Sequence, residues 1–114
     1  MPLDVVRRLL GTLREPVVTS RYPAEPPLLQ AAIRGLPEVD PARCERDGDC
    51  VSACPTGAIE LGEVGLAIDA GRCVFCGRCA DACRPGAIQL GRRVELAGPG
   101  RAGLVELTVL ERRP

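Results

Sequence analysis

Residues 72–90 read "RCVFCGRCADACRPGAIQL" and carry cysteines at Cys73, Cys76, Cys79 and Cys83. Three thiols at steps of three residues on a tight loop can surround three corners of an inorganic cluster. The fourth thiol lies about one helical turn further on and points away from that loop. Iron in sulfide clusters is soft enough to favour thiolate ligands. The spacing therefore indicates an iron–sulfur site.

A second copy of this pattern lies 29 residues upstream. Residues 40–61, "DPARCERDGDCVSACPTGAIEL", align with residues 69–90 without a gap. The shared cysteine positions are Cys44 with Cys73, Cys50 with Cys79, and Cys54 with Cys83. Asp47 aligns with Cys76, so the aspartate occupies a ligand position by register. An internal repeat at a fixed offset predicts two similar structural units.

Zinc and disulfide bonds are the alternatives for these cysteines. Zinc also uses Cys-x2-Cys pairs, but two copies with three positions at steps of three are more specific for iron–sulfur ligation. Seven cysteines fit a complete disulfide set poorly, because the number is odd. The N-terminus also lacks a secretory layout, since Arg7 and Arg8 interrupt its apolar residues. With no histidine in the chain, His-ligated haem and mixed Cys/His sites are excluded.

The composition leaves space in the interior for inorganic groups. The chain of 114 residues has one Tyr, one Phe and no Trp, whereas aromatic side chains usually fill much of a core. Its 15 basic and 15 acidic residues balance, so no overall field favours nucleic acid. No run approaches the roughly 18 uncharged apolar residues of a membrane span. The sequence also places no acid–base pair, so the chain itself is not predicted to be a catalyst.

Each copy is expected to form a loop, a short helix and a strand. Residues 50–54 and 79–83 are compatible with helix and are followed by Pro and Gly. Residues 58–61 and 87–90 alternate like short strands, and residues 65–69 resemble a further strand. We therefore expect an α+β fold whose two halves are related by a pseudo-twofold axis.

The N-terminal 39 residues are expected to form a helix and an extended docking arm. Residues 3–14 place Val6, Leu9, Leu10 and Leu13 at helical spacing. This basic amphipathic helix fits a membrane surface or a partner protein, or it covers the domain's own core. Residues 15–41 contain six prolines, which predicts an extended path rather than a helix.

The remaining boundaries follow from the repeat. Residues 40–91 are predicted to form the two-cluster domain and residues 92–114 a C-terminal extension. Within the extension, residues 94–96 and 104–110 are apolar stretches around a Gly/Pro turn, which suggests a hairpin, with a short helix over 104–110 as the alternative.

The cysteine motifs over residues 40–90 closely resemble those of the bacterial two-cluster ferredoxin family. The segments "TSRYPAEPP" (19–27) and "RGLPEVDPARC" (34–44) extend the resemblance to the iron–sulfur subunits of formate hydrogenlyases and membrane-bound [NiFe] hydrogenases. Those subunits are related to the two-cluster subunit of respiratory complex I. The resemblance implies a cytoplasmic subunit at the inner face of the cell membrane, which passes electrons between other subunits. It also implies partner subunits and no nucleic acid.

In two-cluster ferredoxins the fourth cysteine of each motif ligates the other cluster. Carried onto this sequence, the rule assigns one complete site to Cys54, Cys73, Cys76 and Cys79. The other site receives Cys44, Cys50 and Cys83, with Asp47 in the remaining position.

Two departures from the family pattern affect the second of these sites. Arg84 separates Cys83 from Pro85, which alters the turn without removing a ligand. Asp47 leaves three alternatives. It ligates the fourth iron of a [4Fe–4S] cluster, it stands beside a [3Fe–4S] cluster, or it bonds loop amides.

The function expected from the resemblance is single-electron relay through two clusters within a membrane-associated oxidoreductase. A free, diffusible ferredoxin is the first alternative, and the balanced charge argues mildly against it because soluble carriers often use a strong field for steering. An iron–sulfur sensor module is the second. A DNA-binding sensor would need a basic recognition element, whereas the basic residues here are dispersed.

Overall fold

A computed structural model describes residues 2–111 as a small fold of mixed helix and sheet. Its helices are α1 (Pro2–Thr12), α2 (Asp49–Ala53) and α3 (Arg78–Ala82), and a 3-10 turn spans Arg101–Leu104. Its strands are β1 (Pro37–Val39), β2 (Ile59–Leu61), β3 (Gly65–Asp69), β4 (Ile88–Leu90) and β5 (Val105–Val109). The predicted helices and strands of the two copies are confirmed to within one residue at each end.

Two antiparallel strand pairs are built on the same plan. β1 pairs with β4, and Val39 lies opposite Ile88. β3 pairs with β2, and Ile68 lies opposite Ile59. Each residue of one pair corresponds to a residue of the other at the 29-residue offset, so β1 extends the repeat upstream of residue 40. The segment predicted to be the last part of the arm therefore contains a strand of the domain.

The two copies bond to each other rather than folding separately. The Asp40 amide, at the start of the first copy, donates to the Ala87 carbonyl at 2.8 Å. The Asp69 amide, at the start of the second copy, donates to the Ala58 carbonyl at 2.7 Å. The beginning of each copy is thus held by the end of the other, which makes the two copies one structural unit.

The predicted C-terminal hairpin is wrong. Residues 94–96 form no strand, and β5 pairs antiparallel with β3, where Leu107 lies opposite Ala67. The segment just before residues 94–96 already pairs with the arm, since the Leu36 amide donates to the Arg93 carbonyl at 2.8 Å. β5 pairs with β3 because the free edge of β3 carries backbone N–H and C=O groups that require hydrogen-bond partners.

The core is small and includes cysteines. Leu66 is its most buried member and is only 1% exposed. Its buried members are Cys50, Ile59, Leu66, Ile68, Cys79, Ile88 and Leu110. No aromatic side chain is among them, as the composition led us to expect.

The N-terminal part makes the molecule elongated. The Cα radius of gyration is 21.6 Å, against about 13 Å for a compact chain of this length. The predicted amphipathic helix is confirmed as α1, but it buries none of its residues, so it does not cover the domain's core. The arm is fastened to the C-terminal segment, since Arg92 Nη2 donates to the Leu29 carbonyl at 3.1 Å and the Tyr22 hydroxyl is hydrogen-bonded to Glu95.

Candidate metal centres

The two cysteine loops follow the same backbone path. In the second loop Phe75 has φ 55° and Gly77 has φ 81°. In the first loop Arg46 has φ 59° and Gly48 has φ 79°. A positive φ is uncommon for residues other than glycine, so its recurrence at Arg46 and Phe75 marks one shared loop geometry. That geometry turns each loop tightly before α2 or α3.

Backbone amides point at the sulfurs of the fourth cysteines. The Ala58 amide donates to Cys54 Sγ at 3.2 Å, and the Ala87 amide donates to Cys83 Sγ at 3.2 Å. Burial raises the pKa of the Cys54 thiol, but hydrogen bonds from Ala58 and Thr56 outweigh it and lower that pKa overall. Amide donors of this kind favour the thiolate, which is the form that binds metal.

Cys50, the second residue of α2, is the buried cysteine of the first loop. Burial, with smaller contributions from the negative charges of Cys44 and Asp47, raises the pKa of its thiol to about 11. Cys44 and Cys83 are half-buried and pack against the core that contains Cys50. The structure therefore places the three cysteines predicted for the Asp47 site in the core or against it.

Asp47 is exposed and bonds within its own loop. Its Oδ1 accepts a hydrogen bond from the Asp49 amide at 3.2 Å. Among the hydrogen bonds of residues 2–111, none engages Oδ2.

The second loop lines a cavity together with a cysteine of the first copy. Burial raises the pKa of the Cys79 thiol, and the charges of Cys73 and Cys76 add to this effect. All three residues line the cavity, and Cys54 joins them from the end of α2. The apolar wall includes Pro37, Ile59, Ile68, Phe75 and Leu90. The structure thus brings together the four residues that the family rule assigned to one site.

Two arginines at the loops were not found by sequence reasoning. Arg46 Nη2 donates to the carbonyls of Gly62 and Glu63 at 2.6 and 3.0 Å. Its Nη1 is buried and has no hydrogen-bond partner in the part of the chain that the structure describes. Arg34, in the arm, donates from Nη1 to the Cys76 carbonyl at 2.8 Å. The sequence repeat contains one indication that Arg46 is unusual, because Arg46 aligns with the apolar Phe75.

The donor set fits iron–sulfur clusters. All seven cysteines are free, the fourth cysteine of each copy receives an amide hydrogen bond, and a buried guanidinium nitrogen lies in the first loop. Thiolates with amide donors are the ligands and the surroundings that iron–sulfur clusters use. Within residues 2–111, no three Cys, His, Asp or Glu side chains form a set suited to a single metal ion.

Comparisons with known proteins agree with the predicted iron–sulfur ligation. Residues 43–87 match the family model of the 4Fe-4S dicluster domain. Formate hydrogenlyase subunit 6 of Escherichia coli (strain K12) is 42% identical over 43 residues, which are 38% of this chain and 24% of that protein. The first match was expected from the cysteine spacing, and the second agrees with the resemblance stated above.

A solved structure extends the similarity beyond the domain. It is that of the membrane-bound sulfane sulfur reductase, an archaeal respiratory membrane complex, and a chain of it matches with a TM-score of 0.67. The two chains are 31% identical, and the match covers 83% of this chain and 55% of the other. The present chain therefore spans about a quarter and about half of the lengths of these two relatives. None of the helices in residues 2–111 is long and apolar enough to cross a membrane.

Proposed function

We propose that this chain is an electron-transfer subunit of a membrane-associated oxidoreductase and relays single electrons through two iron–sulfur clusters. The observation that carries the proposal is the interlocked pair of cysteine loops. Each loop has the same backbone path, and the start of each copy bonds to the end of the other. Such an arrangement holds two clusters at a fixed separation, as a relay needs.

The ligands cross between the copies. Cys54 belongs to the first copy but lines the cavity of the second loop, which supports its assignment to Cys73, Cys76 and Cys79. By the same 29-residue correspondence, Cys83 completes the site of Cys44, Cys50 and Asp47. The matched amide hydrogen bonds to the sulfurs of Cys54 and Cys83, both at 3.2 Å, support equivalent roles for the two. We refer below to the loop-1 site (Cys44, Asp47, Cys50, Cys83) and the loop-2 site (Cys54, Cys73, Cys76, Cys79).

An approximate twofold axis relates the two halves in this proposal. Its support is the equivalent register of the two strand pairs, in which Val39–Ile88 corresponds to Ile68–Ile59. β5 breaks the equivalence, because it adds a third strand to β2–β3 and no strand occupies the matching edge of β1 within residues 2–111.

At the loop-1 site we propose a [4Fe–4S] cluster with Asp47 at the fourth iron. The Asp49 amide fixes Oδ1, and Oδ2 is the oxygen that would face the iron. A carboxylate is a harder and weaker ligand for this iron than a thiolate, so the corner would exchange readily. Conversion to a [3Fe–4S] cluster is the expected consequence of losing that iron.

When bound, the clusters supply the one-electron chemistry, and the protein supplies their surroundings. Cysteine thiolates hold them, amide donors at Cys54 and Cys83 stabilise negative charge on sulfur, and the apolar wall of the loop-2 cavity excludes water. Hydrogen bonding, net charge and exposure are the properties that set cluster potentials. The cavity of the loop-2 site is lined mostly by apolar residues.

The exposed apolar surfaces of the chain favour a subunit of a complex over a free electron carrier. On α1 the apolar residues Leu3, Val5, Val6, Leu9 and Leu10 are all more than half exposed. On β5 the apolar residues are the exposed ones, since Val105, Leu107 and Val109 face outward. Apolar faces of this kind mark contact with a protein or a membrane. We propose that they dock the chain to partner subunits at the inner face of the membrane.

The test uses the full chain with its native partners. Val6→Asp with Leu10→Asp places charges on the apolar face of α1, and Arg8→Asp with Thr12→Asp serves as the matched control on the polar face. We expect the first variant to leave the complex, as measured by native size separation and iron content, while it keeps both clusters. The control is expected to stay bound. A wild-type chain that migrates as a monomer from its own cells would support the free carrier instead.

A further inference from the structure

We propose that Arg46 is a positioning and charge-compensating residue of the loop-1 site: it braces the loop and stabilises the reduced cluster. The inference rests on the proposed function. It concerns a residue that is not a ligand and whose counterpart in the other loop is neutral, and it gives a structural reason for the two clusters to differ in potential.

The bracing role follows from the hydrogen bonds of the guanidinium. Arg46 Nη2 donates to both Gly62 and Glu63 carbonyls, which belong to the turn between β2 and β3. The contact spans 16 and 17 residues of sequence, so it ties the first cysteine loop to a separate part of the fold. It does this beside Asp47, the ligand position with the weakest donor.

The electrostatic role follows from burial. Arg46 is half-buried, and Nη1 is fully buried with no acceptor among residues 2–111. None of the ion pairs formed within those residues includes Arg46. A buried guanidinium donor is costly unless a negative charge compensates it. A cluster held by three thiolates and a carboxylate is negatively charged and lies in the same loop.

The two loops differ at this position although their backbones agree. Arg46 and Phe75 have φ values of 59° and 55°, so the side chains leave equivalent points of the loop. Phe75 lines the apolar cavity of the loop-2 site and carries no charge. The loop-1 site therefore has a buried positive charge at Arg46 where the second loop has an apolar ring, whereas the guanidinium beside the second loop belongs to the exposed Arg34.

Reduction adds one electron to a cluster, and a nearby positive charge favours the reduced state. Loss of the Arg46 charge is thus expected to shift the loop-1 equilibrium toward the oxidised cluster. For a unit charge in a partly shielded site we expect a change on the order of tenfold, which is about 59 mV for a one-electron couple.

The experiment is an anaerobic redox titration of the full chain, followed by electron paramagnetic resonance. Cys83→Ala identifies the loop-1 signal by its loss. Arg46→Met removes the charge, Arg46→Lys keeps it, and Arg14→Met, at an exposed position beyond α1, is the control. We expect Arg46→Met to lower the loop-1 potential alone, and Arg46→Lys and Arg14→Met to leave both potentials near wild type.

Three results would overturn the inference. The first is an unchanged loop-1 potential in Arg46→Met, and the second is an equal shift of both clusters. The third is a shift in Arg46→Lys as large as in Arg46→Met. If Arg46→Met loses the loop-1 cluster, the Arg46→Lys variant gives the answer. A wild-type loop-1 potential in Arg46→Lys supports the charge role, and loss of the cluster in that variant refutes it. Wild-type protein without sulfide would instead refute the proposed function, and that result is seen before any variant is compared.

Discussion

The first and second cysteine loops share a backbone and differ in chemistry. Both turn through positive φ at the same two positions and lead into a five-residue helix with a buried cysteine. The second loop offers three thiols beside an apolar cavity. The first replaces one thiol by Asp47 and one apolar side chain by Arg46. The pair teaches that a repeated scaffold can keep its geometry while each copy acquires its own electrostatic setting.

The largest expected effect comes from removing the one cysteine that each site takes from the opposite copy. Cys54→Ala, a substitution in the first copy, should abolish the cluster of the second loop, because Cys54 lines that cavity. We expect a loss of about four irons per chain, with the loop-1 signal preserved. Iron analysis and electron paramagnetic resonance of protein purified without oxygen measure both.

Cys83→Ala is the matched variant and should abolish only the loop-1 cluster. If each substitution instead removed the cluster of its own copy, the crossed assignment would be wrong.

Core truncation sharpens the comparison, because the two strand pairs have equivalent buried residues. Ile59 is 4% exposed and Ile88 is 2% exposed. Ile59→Ala and Ile88→Ala should each lower the free energy of unfolding by about 2–5 kcal/mol. Chemical denaturation of the anaerobic holoprotein measures the loss, with Val105→Ala on the exposed face as a control that should change little. A large difference between the two core variants would contradict equivalent packing of the two halves.

Asp47→Cys should make the first loop resemble the second. A thiolate at this position is a softer ligand, so the fourth iron should be retained through exposure to mild oxidant. In the wild type we expect the same treatment to produce a [3Fe–4S] signal. Asp47→Ala, which lacks any donor, should show that signal without oxidant. Identical behaviour of wild type and Asp47→Cys would mean that the residue does not face the iron.

The smallest expected effect is at the glycines with positive φ. Gly48→Ala and Gly77→Ala both place a side chain in the left-handed region, at about 1 kcal/mol each. A Cβ at Gly77 would also meet Leu90 Cδ1 at 3.3 Å, whereas one at Gly48 would have no neighbour within 4 Å. Gly77→Ala should therefore be the more destabilising of the two in thermal unfolding. The reverse order would show that the loops are less alike than their dihedral angles indicate.

The repeat explains how much of the fold the sequence revealed. Helices α2 and α3 and strands β2, β3 and β4 were predicted because each lies in or beside a duplicated motif. β1 was missed because Pro37 argues against a strand. The visible similarity of the two copies begins at Asp40, although the same offset sets Val39 against Ile68.

Other features depend on tertiary contacts that no local pattern encodes. The alternation in residues 105–109 predicts a strand, but the predicted partner, residues 94–96, is wrong, because an apolar alternation does not show which strand edge is free. The burial of Arg46 had no sequence signal apart from its alignment with Phe75. All eight candidate ligand positions follow from the cysteine spacing and the family resemblance.

The most direct test of the two-cluster account is the content of iron, acid-labile sulfide and zinc in wild-type protein purified without oxygen. The account predicts about eight irons and eight sulfides per chain, with no zinc. About seven irons would place a [3Fe–4S] cluster at the loop-1 site and contradict the proposed role of Asp47. Zinc without sulfide would contradict the electron-transfer function itself.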